Sequence, residues 1–589
     1  MAETQANVRI GLPNFVRDVY YLPDRALDLL ELAAFVYCAD RMKSRGSKRA
    51  VEYHAWARSF HFVVKVRDHA FWSRKEVADC LSEALRFMTG DREYRFSFEP
   101  GHSTSKTSLF DDEQFSLGNA CDTTVALFSG GLDSLAGVLD HLENTTDQLC
   151  LVSHQSQPGT VRTQRQLVMA LDKHYPGRVF HYKFQCNLRG IRAAEESQRS
   201  RAFLYTSIAF TIALAFGQNN VTIFENGITS LNFPRRADLI GARASRTTHP
   251  KAIHLLNGFF SLLLGDTTKM HLPFLWKTKT DIMASLKVGA HPELISSSVS
   301  CSRTFQNLGT ATHCGGCSQC VDRRFAAYGS KTEKIDHPGI YAHDIIGTSI
   351  PDREVRTTVV DYVRQARDFS IWSEDHFFQE MATELSEIVD YLPGGGGEFQ
   401  RLELIRELCR RHGEQVFFAM KRIKETHDNL YVTVAPDSLL DVIHGRDYLK
   451  DPVSLLVDRI CELVGPAIGK MFGRNPPKDE PDLNVKISGL LDSHRIDLRR
   501  EHPAVSFAGG YAVPDHGSDS SDVLIEAKYL RGGTTPSKAS EGMAADLTKY
   551  SQDKHILFVV YDPQRAVRDD QIFKDDFEAR GRCTVLLVR

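Results

Sequence analysis

The stretch SGGLDS follows a mostly apolar segment and combines two glycines, two hydroxyls and a carboxylate: Ser129, Gly130, Gly131, Asp133 and Ser134. An apolar strand that turns through glycines into a helix directs backbone N–H groups and the positive helix end at one point. The glycines let phosphate approach the backbone, and the serines add donors. Asp133 is suited to orient the loop or to contact the Mg²⁺ that accompanies phosphates. The stretch predicts an anion site; a tight turn capped by Asp133 is the alternative.

Four of the twelve cysteines follow the spacing C-x12-C-x2-C-x2-C: Cys301, Cys314, Cys317 and Cys320. Closely spaced thiolates with glycines between them can wrap a tetrahedral ion, and a set without histidine is typical of a closed structural zinc site. An iron–sulfur cluster is the less favoured alternative. The remaining cysteines are scattered singly, and we expect them to be core or incidental residues: Cys38, Cys80, Cys121, Cys150, Cys186, Cys409, Cys461 and Cys583.

Near the C-terminus, Asp515 follows a proline, and ten residues lie between it and the sequence Glu526-Ala527-Lys528. A strand has a period of two, so Glu526 and Lys528 share one face. Asp515 and Glu526 are suited to hold Mg²⁺, with Lys528 beside the attacking water or the scissile phosphate. Further carboxylates compete with Asp515 or extend the set: Asp519, Asp522, Glu480 and Glu501.

Basic residues surround glycines and hydroxyls in the same region: Lys528, Arg531, Lys538 and Lys549. They are suited to follow a phosphate backbone, with a solvated loop as the alternative. The formal net charge of −3 offers no bulk attraction to nucleic acid. A DNA contact therefore depends on this local patch.

The hydrophobic pattern predicts the helices and strands that must position these residues. Apolar segments alternate with helical ones from residue 123 onward, which favours a parallel sheet covered on both faces and an α/β fold. We expect four regions: an α+β region at 1–118 with an amphipathic helix at 24–42, an α/β core at 119–345, a mostly helical connector at 346–475, and a last α/β unit at 476–589.

The composition is that of a globular protein, with 42% hydrophobic and 25% charged residues. The start of the chain carries no secretory signal. The longest apolar stretches, 203–217 and 252–265, are too short to span a bilayer and predict buried helices. We therefore expect a cytoplasmic protein without a membrane partner, and the sequence leaves a homodimer open.

The SGGLDS stretch resembles the SGGxDS signature of the PP-loop ATP pyrophosphatases. Followed by the four cysteines, it resembles the 7-cyano-7-deazaguanine synthases (QueC), over residues 120 to 330. The segments "QRSRAFLYTSIA" and "PFLWKTKTDIM" resemble the Arg-bearing helix and the Pro-to-Lys segment of that family, which implies that Arg201 and Lys279 bind the nucleotide. The implied fold is a Rossmann-like, adenine nucleotide alpha-hydrolase-like core.

The QueC resemblance implies that ATP activates the carboxylate of 7-carboxy-7-deazaguanine as an acyl-adenylate, which an amine then attacks. The segment 224–250 departs from the biosynthetic enzymes, and with the added terminal regions it is more similar to QueC-like proteins of anti-phage systems. The acceptor is then ammonia or a protein or nucleic-acid amine. The alternatives are a biosynthetic nitrile or amide synthase with an inactive nucleic-acid-binding C-terminal domain, and a tRNA- or sulfur-modifying PP-loop enzyme.

The pattern P-D-x10-E-x-K, together with "DVLIEAKYLR" and the segment after it, resembles the PD-(D/E)xK nucleases. Within that superfamily, residues 478 to 589 are similar to the DpnII and MboI restriction enzymes. This resemblance implies a restriction-endonuclease-like fold, Mg²⁺-dependent cleavage of DNA, and catalytic roles for Asp515, Glu526 and Lys528.

Overall fold

The fold was analysed in a computed structural model of the chain. The described residues are 8–11, 22–45, 57–101, 123–188, 192–195, 199–234, 246–303, 306, 308–350, 352–393, 396–472, 475–493, 496–507, 509–518, 521–551, 553–579 and 581–589. Most of the polar connection expected after residue 101, the middle of the divergent segment at 224–250, two glycines of the run at 394–397, and Asp519 lie outside them.

The chain divides into two compact units, Met1–Gly445 and Arg446–Arg589. The finer boundaries expected at 118, 345 and 475 stay predictions. In the described residues, no helix combines the length and the apolar character that crossing a membrane requires.

The first unit contains a six-stranded sheet. Its strands are β1 (Val8–Gly11), β4 (Thr123–Leu127), β5 (Gln148–His154), β6 (Val179–Leu188), β7 (Asn220–Ile223) and β8 (Lys269–His271). They lie in the order β1-β6-β5-β4-β7-β8. All neighbours in this sheet pair in parallel except β1, which runs antiparallel to β6. The α/β interpretation with a parallel sheet is therefore confirmed.

Helices cover both faces of this sheet. Successive residues of a strand point to opposite sides, so each buried strand contributes side chains to two hydrophobic cores. Val125 and Cys150 join one hydrophobic core, whereas Ala126 and Leu151 join the other. The first core contains α1 (Asp24–Met42), α3 (Lys75–Thr89), α6 (Arg201–Ala215) and α8 (Pro250–Leu264). The second contains α4 (Leu132–Asn144), α5 (Pro158–His174), α9 (Lys279–Val288) and α10 (Ser318–Gly329). The two apolar stretches expected to be buried helices form α6 and α8.

Helix α1 differs from the amphipathic helix expected at 24–42, because it is buried around most of its circumference. Its polar residues Asp28 and Asp40 are buried as well, and each is neutralised by a partner. Asp28 pairs with Arg67 at 2.8 Å and Asp40 with Arg58 at 2.5 Å. The charges that mark a solvent face in the sequence are here internal ion pairs.

The remaining elements of the first unit are a two-stranded parallel sheet and a helical layer. The sheet pairs β2 (Ser59–Val66) with β3 (Glu93–Pro100), and α2 (His69–Trp72) lies between them in the chain. The remaining helices are α7 (Gly227–Leu231), α11 (Arg353–Ile371), α12 (Glu374–Glu380), α13 (Ala382–Ser386), α14 (Glu398–His427) and α15 (Leu439–Gly445). Helix α14 packs against α10 and α11.

The second unit contains a five-stranded sheet and a separate hairpin. The elements are β9 (Arg499–Arg500), β10 (Val505–Phe507), β11 (Gly510–Ala512), β12 (His516–Gly517), β13 (Val523–Tyr529), β14 (His555–Tyr561), β15 (Cys583–Val588), α16 (Pro452–Phe472), α17 (Glu480–Ser493), α18 (Pro536–Lys549) and α19 (Asp570–Glu578). The sheet has the order β15-β14-β13-β12-β9, in which β13, β14 and β15 are parallel. Cores lie on both faces, with α16 and α17 on one and α18 and α19 on the other. The three strands expected in this unit are confirmed.

Candidate functional sites

The SGGLDS loop connects the end of β4 to the start of α4 at the carboxyl edge of the parallel sheet. Gly130 has φ +81°, and a Cβ at that position would lie 3.3 Å from side-chain carbons of Thr163 and Gln164. Ser129 Oγ accepts a hydrogen bond from the Gly131 N–H at 3.1 Å. A glycine is thus required at 130, and the loop lies at a helix start, where an anion site is expected, with Ser129 as its exposed residue.

Asp133 faces the protein interior and is only 6% exposed. Its Oδ2 accepts hydrogen bonds from the backbone N–H of Asn226 at 3.2 Å and from its Nδ2 at 2.7 Å. Burial raises the pKa of this carboxyl, but Lys279 and Asn226 outweigh burial and the net pKa is lowered. Asp133 therefore ties the loop to the segment that follows β7, as expected for a residue that orients the loop.

Lys279, at the start of α9, lies beside Asp133 but is only 3% exposed. Its Nζ is 3.4 Å from Asp133 Oδ1, 3.5 Å from Asp322 Oδ2 and 3.4 Å from Gln319 Oε1. Burial opposes its charge, but Asp133 and Asp322 outweigh burial and raise its pKa. The ammonium group is held inside an ion network next to the loop.

Glu225 completes this network at the end of β7. Burial and the neighbouring charge of Asp133 raise the pKa of Glu225 to about 8. A neutral Glu225 can donate a hydrogen bond to Asp133, so the two carboxyls share one proton near neutral pH. The network is therefore sensitive to pH.

Arg201, the second residue that the QueC resemblance assigns to the nucleotide, begins α6 and is exposed. Its guanidinium carbon lies 5.9 Å from the centre of the Tyr205 ring. Tyr205 in turn hydrogen-bonds His154 Nδ1 at 2.8 Å, at the carboxyl end of β5. The described contact of Arg201 is thus with this aromatic pair rather than with residues 129–134.

The structure brings the four predicted metal ligands together: Cys301, Cys314, Cys317 and Cys320 have sulfur atoms within 4.8 Å of one another. The sulfur–sulfur distance is 3.4 Å for Cys317 to Cys320, 3.9 Å for Cys314 to Cys320 and 4.0 Å for Cys317 to Cys301. A tetrahedral site with zinc–sulfur bonds of about 2.3 Å has sulfur atoms about 3.8 Å apart. The four thiolates therefore fit one tetrahedral metal ion.

The four cysteines form a cluster that we call the metal knuckle. Residues just before Cys301 connect this knuckle to the glycine loop. The N–H of Val299 donates to Gly130 O at 2.9 Å, and Ser300 Oγ accepts from the Leu132 N–H at 3.3 Å. The buried Arg323, on the helix α10 that also carries Cys320, donates to Ser300 Oγ at 3.3 Å and pairs with Asp336 at 2.8 Å. The metal knuckle and the glycine loop are consequently one hydrogen-bonded assembly.

In the second unit, Glu526 and Lys528 lie on the same face of β13, as predicted. The Nζ of Lys528 is 3.3 Å from Glu526 Oε2. Asp515 reaches the same strand, since its Oδ2 accepts from the Ala527 N–H at 2.8 Å. The three residues of the predicted nuclease site therefore meet at one strand.

Asp546 of α18 and Tyr550, just after that helix, complete this cluster. Asp546 lies 2.8 Å from Lys528 Nζ, and the Tyr550 hydroxyl donates to Glu526 Oε1 at 2.5 Å. Burial, together with Asp515 and Asp546, raises the pKa of Glu526 to about 7. Burial opposes the charge of Lys528, but Asp546 and Glu526 outweigh burial and raise its pKa. Lys528 is thus a fixed positive charge at neutral pH.

Of the competing carboxylates, Glu480 belongs to the cluster. Its Oε2 accepts from the Tyr529 N–H at 3.3 Å, and burial raises its pKa. Asp522 instead pairs with Lys554 at 2.9 Å at the start of β13, and the exposed Glu501 pairs with Arg500 at 2.9 Å. Of the carboxylates that the sequence offered, Asp515 and Glu480 therefore lie with Glu526, in addition to Asp546.

The expected basic patch is only partly available to a ligand. Lys549 pairs with Asp546 at 2.7 Å, and the Arg531 guanidinium donates to the Lys478 carbonyl at 2.9 Å. Lys538 donates to the Gly533 carbonyl at 3.3 Å and remains exposed. Of these residues, Arg531 and Lys538 keep exposed charge.

Several site residues were missed from the sequence, although signals for them exist. Asp546 lies among Ala539, Met543 and Leu547 on the buried stripe of α18, and a carboxylate on an apolar helix face needs a buried partner. Glu225 and Asn226 directly follow a strand of the parallel sheet, and the carboxyl ends of such strands share one edge. Asp322 and Ser300 carry no comparable signal, because their partners are distant in sequence.

Comparison with known proteins bears on the second unit. Residues 478–588 match the family model of the DpnII-MboI restriction endonucleases (REase_DpnII-MboI). The matched part contains Asp515, Glu526, Lys528 and Glu480. No curated protein matches the chain significantly. The C-terminal domain is therefore restriction-endonuclease-like, which is consistent with a nuclease that binds DNA and uses Mg²⁺.

Proposed function

We propose that the C-terminal domain is a Mg²⁺-dependent DNA endonuclease in which Asp515, Glu526 and Lys528 are catalytic. The observation that carries this proposal is their convergence, with Glu480, at one strand inside the segment that matches the restriction endonucleases. Carboxylate oxygens are the ligands that Mg²⁺ prefers, and Asp515 and Glu526 would hold the ion. A bound Mg²⁺ neutralises charge on the scissile phosphate.

The roles of the protein side chains follow from their charges. Lys528 stays protonated between Glu526 and Asp546, so it acts as a positive charge for a phosphate oxygen or as a donor to the attacking water. The Tyr550 hydroxyl fixes one oxygen of Glu526, and the Ala527 N–H fixes one oxygen of Asp515. The metal-binding oxygens are therefore held in place before DNA arrives.

The test is cleavage of plasmid DNA by the full chain with Mg²⁺, compared among wild type, Glu526→Ala and Lys528→Ala. We expect at least about a 100-fold loss of cleavage in both variants, with duplex binding in Ca²⁺ retained. Asp522→Asn is the matched control, since this acid lies at the start of the same strand but pairs with Lys554. Equal cleavage by wild type and both variants would remove the nuclease assignment.

We further propose that residues 119–345 form a QueC-like PP-loop domain that activates a carboxylate with ATP. The favouring observation is the glycine loop at the start of α4, which is bonded through Ser300 to the four-cysteine knuckle. The loop amides and the hydroxyls of Ser129 and Ser134 would hold the pyrophosphate. Zn²⁺ would be the structural ion of the knuckle. Lys279 would act through Asp133, because its ammonium is enclosed by carboxylates.

The proposed substrate is a 7-deazaguanine carboxylate such as 7-carboxy-7-deazaguanine. Its carboxylate oxygen attacks the α-phosphorus of ATP and pyrophosphate leaves; an amine then attacks the acyl carbon and releases AMP. The amine is ammonia or a group on a protein or nucleic acid. In this proposal both activities serve anti-phage defence in the bacterial cytoplasm, and a homodimer stays a prediction.

Pyrophosphate release from ATP, measured with and without 7-carboxy-7-deazaguanine, tests this second proposal. We expect release that depends on the acid and falls at least about tenfold in Ser129→Ala, while the control Ser296→Ala, at a half-buried position, leaves release unchanged. Release that requires tRNA instead would favour a tRNA-modifying enzyme. Release with ammonia as the acceptor, combined with an inactive C-terminal domain, would favour the biosynthetic synthase.

A further inference from the structure

Two histidines and a glutamate that are distant in sequence meet on the surface of the first unit. His174 is the last residue of α5, whereas His291 and Glu293 lie at the start of a short 3-10 helix, Pro292–Ser297. One ligand atom of each side chain lies within 4.8 Å of the ligand atoms of the other two. We call these three residues the histidine cluster; none of them belongs to the metal knuckle.

The spacing of the histidine cluster is close to that of a tetrahedral metal site. The centres of the two imidazole rings are 3.8 Å apart, and His291 Nδ1 is 3.4 Å from Glu293 Oε1. Two ligand atoms of a tetrahedral zinc ion, with bonds of about 2.1 Å, are about 3.4 Å apart. His174 and Glu293 are exposed, so small rotations of their side chains bring all three ligand atoms to this spacing.

The backbone that carries His291 is held by its neighbours. Glu143, at the end of α4, accepts a hydrogen bond from the Ala290 N–H at 3.2 Å. The Leu294 N–H donates to the His291 carbonyl at 3.2 Å, and the Tyr175 ring packs edge-on against the imidazole with ring centres 5.7 Å apart. The cluster is therefore formed by ordered segments that approach each other through the fold.

The chemistry of the cluster favours a late transition-metal cation. His174 lies in the last turn of α5, where the free carbonyl groups of a helix carry partial negative charge. The Glu293 carboxylate adds a full negative charge. Imidazole nitrogens suit Zn²⁺, Co²⁺, Ni²⁺ and Cu²⁺, whereas Mg²⁺ and Ca²⁺ prefer ligand sets made of oxygen.

We propose that His174, His291 and Glu293 bind one divalent transition-metal ion such as Zn²⁺, with the fourth position open to water. Three protein ligands on an exposed surface hold an ion less tightly than four buried thiolates do. A chain dialysed free of excess zinc should therefore keep the ion of the metal knuckle and lose the ion of the histidine cluster.

The expected consequence of metal binding follows from where the two elements of the cluster lead. Gln164, in the second turn of α5, donates to the Ser129 carbonyl at 3.4 Å, and the Val299 N–H donates to the Gly130 carbonyl at 2.9 Å. Helix α5 and the segment 291–299 thus both contact the glycine loop. An ion between them would fasten the two elements that hold this loop, whatever ligand the loop binds.

The experiment measures zinc bound to the full chain by equilibrium dialysis over a range of free Zn²⁺ concentrations. Wild type should bind one more ion per chain than His174→Ala/His291→Ala, with a Kd on the order of 10 µM. His254→Ala, which removes an exposed histidine of α8, is the matched control and should keep this ion. Saturating Zn²⁺ should also raise the melting temperature of the first unit by about 1 °C or more in wild type, but not in the double variant.

The comparison with the double variant does not depend on the metal knuckle, since both chains keep the four cysteines. Equal ion counts in wild type and the double variant would overturn the proposal. Binding of Mg²⁺ as tightly as Zn²⁺ at this place would also overturn it, because the imidazoles would then not be ligands. If the double variant melts at a lower temperature without zinc, His174→Gln takes its place: loss of the ion in this exposed single variant supports the site, and retention overturns it.

Discussion

Two lysines, the buried Lys279 in the first unit and the half-buried Lys528 in the second, each lie between two carboxylates. The N–O distances are 3.4 Å to Asp133 and 3.5 Å to Asp322 for the first, and 3.3 Å to Glu526 and 2.8 Å to Asp546 for the second. Their side chains differ in exposure, at 4% and 14%. The first ammonium is enclosed, whereas the second is reachable from solvent.

The difference in exposure assigns different roles to similar ion clusters. An enclosed lysine mainly cancels the charge of its carboxylates, because it has no free direction in which to meet a substrate. Removing it leaves those carboxylates buried and uncompensated, which is among the most destabilising changes known. A lysine at the mouth of a site can meet a phosphate, although Glu526 and Asp546 are as buried as Asp133 and Asp322. We therefore expect Lys279 to stabilise the fold and Lys528 to take part in the proposed phosphodiester cleavage.

The largest expected effect comes from replacing each lysine by methionine, which keeps the length of the side chain. Lys279→Met should destabilise the first unit by about 3 to 5 kcal/mol, because Asp133 and Asp322 lose their counter-charge. Lys528→Met should cost the second unit less than about 2 kcal/mol, because Glu526, whose pKa is raised to about 7, can take up a proton when its counter-charge is lost. Denaturant unfolding followed by hydrogen exchange in each unit measures both values.

Lys287→Met is the control for this pair, because Lys287 is an exposed lysine on the same helix as Lys279. It should change stability by about 0.5 kcal/mol or less. Equal losses in the Lys279 and Lys528 variants would show that exposure does not separate the two sites, and the comparison would fail.

The second prediction concerns the four-cysteine knuckle, which lies in the same unit as Lys279. Cys317→Ser removes a thiolate ligand and should reduce bound zinc from about one ion per chain to a small fraction. The first unit should lose about 2 to 4 kcal/mol, since metal binding contributes directly to folding, while the second unit keeps its stability. Metal analysis and melting followed in each unit check both parts. Unchanged zinc content would remove the metal site, and Cys409→Ser controls for loss of a buried thiol elsewhere in the unit.

The third prediction uses the proton shared by Glu225 and Asp133. The pKa of Glu225 is raised from 4.5 to about 8, so the folded state keeps a proton that the unfolded state releases. The stability that this proton on Glu225 contributes is fully present below pH 4.5 and is lost as the pH rises through about 8. The melting temperature of the first unit should therefore fall between about pH 5 and about pH 8.5.

Glu225→Gln should make the fall in melting temperature over this pH range smaller by about 2 °C or more. The amide stays neutral at every pH in this range and can still donate a hydrogen bond to Asp133. Glu398→Gln, at an exposed position, should leave the wild-type profile unchanged. If the melting temperature of the Glu225→Gln variant falls as steeply as that of wild type, the two carboxyls do not share a proton.

The sequence predicted local features of both sites and missed contacts between distant segments. The glycine turn, the cysteine spacing and the pairing of Glu526 with Lys528 depend on neighbouring residues and on the strand period, so they are readable from the chain. The enclosure of Lys279 was not predicted, because it depends on Asp322, which a different helix supplies. Asp546 and Tyr550 also come from another element. Helix α1 was expected to be amphipathic, because a sequence does not show that its acids meet partners inside the core.

The smallest expected effect tests whether the knuckle positions the glycine loop through Ser300. Ser300→Ala removes the acceptor of the Leu132 N–H but keeps the knuckle, so zinc content and melting should stay near wild type. One hydrogen bond contributes about 1 kcal/mol, which predicts about a fivefold higher KM for ATP in carboxylate-dependent pyrophosphate release, with kcat nearly unchanged. Ser300→Thr keeps the hydroxyl and should restore the wild-type KM, and Ser296→Ala is the matched control. An unchanged KM in Ser300→Ala would separate the two features, because the loop would then hold its shape without the knuckle.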